Sequence, residues 1–303
     1  MIFIRVLPAV IKTTQRCYII FGDANGDLAM QSINARPTIS YVQPGERSAR
    51  ARAIDMIERI SGRLAVESIY HRLKGEDFNP STFFARALEL ADIKYQLHGV
   101  CPTALPKSGP LVLIANHPFG VVDGLMLCDI ASRMRGDFRI LINALLCRDA
   151  DLDRFFLPVD FRDNREAKQI NIQTKQTALK TLAGGGVILV FPSGGISTRQ
   201  HGGFGALADF PWTTFTAKLI AKSQATVMPL FFHGTNSRLF HIVSGVSDSL
   251  RASLLLHEVR NKMGGRFDVT LGAPVTYESI AHLDRRNLTE HLHALTWSLA
   301  EGH

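Results

Sequence analysis

Residues 110–134, "PLVLIANHPFGVVDGLMLCDIASRM", decide how the chain folds. An apolar run, Leu111 to Ala115, ends at Asn116; "HPFGVV" turns the chain; apolar residues then recur at helical spacing. Strand, turn and helix in that order open a βαβ unit, whose strands are covered on both faces and so read as uniformly apolar. In the plainer reading of the turn, Asp123 is the N-cap of the helix, Pro118 and Gly120 shape the bend, and His117 is one of eleven histidines. In the sharper reading, the loop folds back over the strand end and sets Asp123 against one imidazole nitrogen of His117. That fixes the tautomer and leaves the other nitrogen free to take a proton.

Outward from this unit the same alternation continues. Residues 95–100, 110–116, 138–144, 155–161, 186–191, 226–232 and 267–272 read as strands. Helical patterns lie near 124–134, 168–183, 211–223, 249–263 and 286–300, the last with Leu288, Leu292, Leu295 and Leu299 at helical spacing. The predicted fold class is therefore α/β: a mostly parallel central sheet flanked by helices, with an N-terminal helical segment. Ligands in such sheets gather at the carboxyl ends of the strands.

Upstream of the sheet, residues 1–46 lack periodicity and carry turn signals ("FGDANGD", "NARPT", "QPGER"), so they read as a loosely ordered extension; Met30 is an alternative start. Residues 47–303 then form a single domain, with N-terminal helices over 47–93, an α/β core over 94–280 and a C-terminal helix over 281–303. From Arg47 to Lys74 the pattern is helical, with Ile57, Ile60 and Leu64 on one face. Its seven cations (Arg47, Arg50, Arg52, Arg59, Arg63, Arg72, Lys74) are either a solvated face or an interfacial helix drawn to anionic lipid. Ser81 is the expected N-cap of a short helix that turns Phe84, Leu88 and Ala91 inward.

Composition limits the function classes. Of 303 residues, 46% are hydrophobic, enough for a full core. The four cysteines (Cys17, Cys101, Cys128, Cys147) make no CxxC pair and no zinc spacing, which suits a reducing compartment and predicts no metal. No apolar run reaches the length of a membrane span, and Arg5 and Pro8 interrupt the opening, which lacks a cleavage site. The formal charge of +7 suits an anionic partner: nucleic acid, an acidic membrane surface or a phosphorylated substrate. No RNP-like aromatic block, zinc-finger spacing or helix-turn-helix signal accompanies that charge, so no nucleic acid is expected.

Four blocks in order carry a resemblance: "NHPFGVVDG" (116–124), "RFFLPVDFRDNREA" (154–167), "GGGVILVFPSGGIS" (184–197) and "ATVMPLFFHGTNSRLF" (225–240). Together they resemble the lysophosphatidate (1-acylglycerol-3-phosphate) acyltransferase superfamily, in its bacterial hemolysin-like branch, which includes enzymes acylating lyso-ornithine lipid. The similarity runs over roughly residues 50–280. It implies a glycerolipid-acyltransferase-like fold and a peripheral enzyme on the cytoplasmic face of the inner membrane, without a transmembrane helix. The implied reaction moves a fatty acyl group from acyl-CoA or acyl carrier protein to the hydroxyl of a lysolipid, lysophosphatidate or lyso-ornithine lipid, in phospholipid or ornithine-lipid synthesis. His117 would be the general base and Asp123 its orienter, and no cofactor is implied, the acyl donor being a substrate.

Two departures from the family pattern stand out. Five residues separate His117 from Asp123 where four are common; the longer spacing is that of the hemolysin-like branch. In "FPSGGIS", Ser193 and Gly195 stand where a Glu is usual, so acceptor recognition there would rely on backbone N–H groups and nearby cations. The expected substrate-binding residues are Asn116, Arg162, Arg165, Phe191, Pro192, Ser193, Gly194, Gly195 and Arg199. For each, a turn, cap or surface salt bridge is the competing reading. Ser193 is a poor nucleophile candidate, because no G-x-S-x-G elbow surrounds it. Oxyanion donors are sought among the amides of 119–124 and 192–196. His233, Asn236 and Arg238 lie near the same sheet edge, while His201 and His241 take no role. The rival functions are a lipid-binding protein of this fold without catalysis and, further off, a basic nucleic-acid-binding protein.

Overall fold

The structure is a computed structural model. It describes residues 62–75, 78–101, 106–147, 149–199, 204–244 and 248–301, a few single positions between 48 and 56, and the backbone of three strands nearer the N-terminus. Those strands, β1 (Val10–Thr13), β2 (Arg16–Gly22) and β3 (Leu28–Ile33), form an antiparallel sheet in a region whose sequence showed turns but no period. Contacts divide the chain into two units, Met1–Thr38 and Ile39–His303.

In the second unit, helices α1 (Arg63–Leu73) and α2 (Phe83–Leu90) precede β4 (Lys94–Gly99). Then follow β5 (Leu111–Ala115), α3 (Val121–Arg135), β6 (Phe138–Asn143), β7 (Phe156–Val159), α4 (Arg165–Ala183) and β8 (Val187–Val190). A small hairpin, β9 (Thr198–Arg199) and β10 (Leu207–Ala208), leads to α5 (Phe215–Ser223), β11 (Thr226–Phe232), α6 (Arg238–Ser244) and α7 (Asp248–Lys262). The chain ends with β12 (Arg266–Leu271), the one-turn α8 (Tyr277–Ile280) and α9 (Arg285–Ser298).

All seven expected strands enter one sheet, in the order β4-β12-β11-β5-β8-β6-β7. Every neighbouring pair is parallel except β11 and β12. Strand side chains alternate between faces. Leu111, Leu113 and Ala115 therefore pack with Val122, Met126, Leu127 and Ile130 of α3 and with Phe84 and Leu88 of α2. Val112 and Ile114 pack on the other face with Ala178 and Leu182 of α4, Leu219 and Ile220 of α5, and Leu288 and Leu292 of α9. A sheet sealed on both sides is why its strands read as unbroken apolar runs.

Three local expectations need correction. The helix near Ser81 starts at Phe83 with Thr82 at its cap, and Asn79 Oδ1 accepts the Ser81 N–H instead; Phe84, Leu88 and Ala91 are buried as expected. Leu64 is 63% exposed, while Arg63 is buried beside Glu67 at 3.5 Å, so the inner face of α1 is rotated from the one the apolar spacing suggested. Ile57, Ile60 and the cations Arg47, Arg50 and Arg59 lie outside the described residues. Finally, Asp123 is not an N-cap: the helix begins at Val121 after Gly120, and Asp123 sits in its first turn.

Candidate active site

The sheet brings three strand ends together. β5 lies between β8 and β11 and is parallel to both, with Ile114 opposite Val190 and Ala115 opposite Leu230. The residues after β5, β8 and β11 (Asn116–His117, Phe191–Ser197 and His233–Ser237) thus leave the sheet side by side. The connections diverge here as well. β5 runs through α3 to β6 on one side, and β8 runs through α5 to β11 on the other. This is the switch point at which open α/β sheets form a crevice.

The turn after β5 folds back as the sharper reading required. Gly120 takes φ +82°, where a Cβ would meet Ile196 at 2.8 Å, so a side chain there would clash. The bend carries Asp123 to His117: Nδ1 lies 3.0 Å from Asp123 Oδ1, although the ring N–H is not aligned for a regular hydrogen bond. Catalytic bonds are often loose without substrate and tighten in its presence. The Asp123 carboxylate is fully buried and held on both oxygens, Oδ2 accepting the Phe119 N–H and Oδ1 the Gly124 N–H, each at 2.9 Å. It also lies in the first turn of α3, where the helix dipole favours a negative charge. His117 stacks on Phe191, ring centroids 3.9 Å apart and planes 22° from parallel. Its Nδ1 is buried; the 18% of the side chain that remains exposed includes Nε2, which has no protein partner among the described residues. A base needs that arrangement: one nitrogen oriented by a carboxylate, the other open.

Ser197 fastens the loop after β8 to this turn. Its N–H donates to the His117 carbonyl at 2.8 Å, and its hydroxyl accepts the His117 N–H while donating to Asp209. Between Phe191 and Ser197 the chain makes a tight turn, Gly194 at φ +66°, its N–H given to the Phe191 carbonyl. Pro192 is buried, and Ser193 donates its hydroxyl to the Gly195 carbonyl at 2.8 Å. The Ser193 side chain therefore serves the turn and makes neither a nucleophile nor an open ligand. The amides of Phe119, Gly124, Gly194 and Ser197 are engaged, which leaves those of Ser193, Gly195 and Ile196 as donors in this loop with no acceptor among the described residues.

Asn116 is corrected from a substrate contact to a clasp. It is fully buried, its amide donating to the Phe232 carbonyl (3.0 Å) and its oxygen accepting the Phe232 N–H (2.7 Å). It thereby locks the ends of β5 and β11 together. Arg162 grips Asp160, two residues earlier, with Nε and Nη2 at 2.7–3.1 Å, holding that carboxyl below its ordinary range. Arg165 is exposed at the start of α4. Arg199 donates Nη1 to the Gly205 carbonyl, and its N–H reaches His241 Nδ1 at 3.2 Å.

Beyond the residues expected from sequence lies a supporting layer. Glu258 on α7 is buried. It accepts the Ser237 N–H and hydroxyl and pairs with Lys262 Nζ at 2.9 Å. Burial alone would raise its carboxyl; the bonds from Ser237 and Lys262 outweigh that and lower it. Lys262 also sits 5.2 Å from the Phe119 ring, the residue whose N–H steadies Asp123. His241 is pushed down by burial and by the Arg199 charge. Asn236 is 3% exposed, and neither side-chain amide atom has a partner among the described residues. Nothing in the sequence near 258–262 marks that pair as buried: Glu and Lys four apart look like a surface pair on any helix. Phe119, Phe155 and Phe232 belong to the core. Among the described residues no His, Cys, Asp and Glu cluster could hold a metal.

An acyltransferase family model matches residues 63–295, which includes every element of this site. The chain belongs to the acyltransferase family. It is similar to the lyso-glycine lipid O-acyltransferases of Phocaeicola vulgatus and Bacteroides thetaiotaomicron, 28% identical to each over 205 residues. Those matches cover 65% of this chain and 70% and 71% of the relatives. Among solved structures, the 1-acyl-sn-glycerophosphate acyltransferase PlsC of Thermotoga maritima matches 82% of this chain and 95% of its own, with 12% identity and a TM-score of 0.48. The protein is thus an acyltransferase, of the superfamily the four blocks resembled.

Proposed function

We propose that this acyltransferase is a membrane-associated lysolipid O-acyltransferase with His117 as general base. In the reaction, the acceptor hydroxyl oxygen bonds to the carbonyl carbon of an acyl thioester, acyl-CoA or acyl carrier protein. His117 Nε2 takes the hydroxyl proton, and Asp123 stabilises the imidazolium. The C–S bond then breaks, and the proton passes to the departing thiolate. The Gly195 and Ile196 amides are the donors proposed for the oxyanion. Arg199, Arg165 and the unpartnered amide of Asn236 are proposed for the acceptor head group. The two relatives are named for lyso-glycine lipid, which favours an amino-acid head group, as in lyso-ornithine lipid, over lysophosphatidate. Peripheral attachment at the inner face of the bacterial inner membrane goes with such substrates; among the described residues no helix is long and apolar enough to cross a bilayer.

The observation that carries this reading is the His117–Asp123 pair with Nδ1 covered and Nε2 open. The test is acyl transfer from labelled acyl-CoA or acylated carrier protein to a panel of lysolipids with glycine, ornithine and phosphate head groups. Esterified product is expected with the wild-type chain and none above background with His117→Ala. Undiminished product from a folded His117→Ala protein would refute the assignment.

A further inference from the structure

Around the mouth of this site the surface is apolar where it should be polar. Phe161 is 62% exposed, Phe204 78%, Phe210 40%, Leu239 52% and Ile242 44%. They come from three segments of the chain, yet the structure ties all three to the His117 turn. Phe161 and Phe210 flank the glycine turn after β8: a Cβ on Gly194 would lie 3.4 Å from the Phe161 ring, and one on Gly195 2.8 Å from Phe210. Phe204 lies in the β9–β10 hairpin, which starts one residue after Ser197 and is closed by Ser197 on Asp209 and Arg199 on Gly205. Leu239 and Ile242 project from α6, which the bond from the Arg199 N–H to His241 joins to β9. Ser197 in turn holds the His117 backbone at both ends.

The cations on this rim adjoin the apolar groups. Arg162 follows Phe161, Arg238 precedes Leu239, and both are exposed, as is Arg165. Arg162 keeps more than half of its side chain open even while it grips Asp160. The contrast with α1 is informative, because α1 was the segment whose sequence suggested an interfacial helix. There Arg63 is buried beside Glu67 and Lys74 bonds Asp149 and Asp151, which leaves Arg72 as the exposed cation of that helix among the described residues, with no exposed Phe, Tyr or Trp side chain beside it.

We infer that this rim (Phe161, Phe204, Phe210, Leu239 and Ile242, with Arg162, Arg165 and Arg238) is the face that enters an anionic bilayer, seating the His117 crevice on the lipid surface. Aromatic and aliphatic side chains enter the acyl boundary while the guanidinium groups stay at lipid phosphate level. Asp160 and Glu166 offset the Arg162 charge and Lys168 offsets that of Asp163, so the attraction of the rim to an anionic leaflet comes from Arg165 and Arg238, and the +7 charge of the chain acts in the same direction. An acceptor could then slide from the leaflet into the site without leaving it. The inference rests on the lysolipid reading but is tested apart from it, because binding is measured without turnover.

The experiment is sedimentation of the purified full chain with phosphatidylcholine vesicles, with and without phosphatidylglycerol. The His117→Ala protein is expected to bind like wild type. Phe204→Ser with Leu239→Ser is expected to lower partitioning by roughly tenfold or more, as removal of two inserted apolar groups should, while melting temperature and turnover of a detergent-dispersed lysolipid hold. Phe204→Trp supplies a second measurement: the emission it adds to that of the native Trp212 and Trp297 should shift to the blue with anionic vesicles and be quenched by brominated acyl chains. The control is Leu64→Ser on α1, which should bind normally. Normal binding by the double variant, an unshifted added emission in Phe204→Trp, or loss of binding in Leu64→Ser would each overturn the assignment. Wild-type binding without acyl transfer to any lysolipid would instead count against the function and leave the docking face standing.

Discussion

Replacing Asp123 by Asn changes one atom and one charge, and the structure sets the size of the effect. The carboxylate faces His117 Nδ1 at 3.0 Å from a fully buried position. When the imidazole becomes an imidazolium in the transition state, an attraction at that distance is about 5.5 kcal/mol for an effective dielectric of about 20 and about 1.4 kcal/mol in bulk water. The ring is partly open to solvent, so the true figure lies between, and kcat should fall by about 10–10⁴. Geometry adds to the charge effect. Both carboxylate oxygens accept backbone amides, from Phe119 and Gly124. An Asn side chain keeps only one acceptor. Its NH₂ must face either the Phe119 N–H or the Gly124 N–H beside His117, and each choice leaves a buried donor unpaired at about 1–3 kcal/mol. The assay is turnover with saturating acyl-CoA and lysolipid, together with denaturant unfolding of the same preparation. The expected result is a modest loss of stability and a collapse of kcat with little change in KM for the acyl donor. A folded Asp123→Asn enzyme retaining half or more of wild-type turnover would show that the pair is structural and that the proton goes elsewhere.

Two other perturbations follow from the same site. Ser193→Ala should keep near-normal turnover and lose about 1 kcal/mol of stability, because the hydroxyl serves only the Gly195 carbonyl; loss of all activity would make Ser193 the nucleophile after all. His241 gives a pH signature: burial, then the Arg199 charge, lowers its folded value, so the unfolded chain binds the extra proton first as pH falls through about 6.5. Stability should therefore decline between about pH 7.5 and about pH 5.5, less steeply in His241→Gln. The depressed Glu258 keeps its own contribution to lower pH, losing it only below the ordinary carboxylate value. Equal slopes in the two proteins by denaturant titration would exclude His241 as the source.

What the chain reveals before folding is whatever depends on its own local spacing. The seven sheet strands were legible because a sheet covered on both faces leaves no polar side to interrupt the run. The His117–Asp123 contact was legible because a turn that returns over its strand needs only the few residues between them, with Gly120 to bend it. Contacts that depend on register between distant strands left no such trace. Phe191 becomes the floor under the imidazole only because Val190 pairs with Ile114. Asn116 looks the same in sequence whether it lines a crevice or clasps Phe232, and only the position of β11 decides it. Arg63 and Leu64 exchanged inner and outer places because a half-buried partner, Glu67, can draw a cation inward past an apolar neighbour. The exposed aromatics invert the usual rule in the other direction. Side chains as apolar as Phe161, Phe204 and Phe210 are ordinarily buried, and among the described residues no protein element covers them enough to provide it. Among the described residues the exposed aromatics gather where the crevice opens, and a bilayer is the partner whose chemistry would complete their burial.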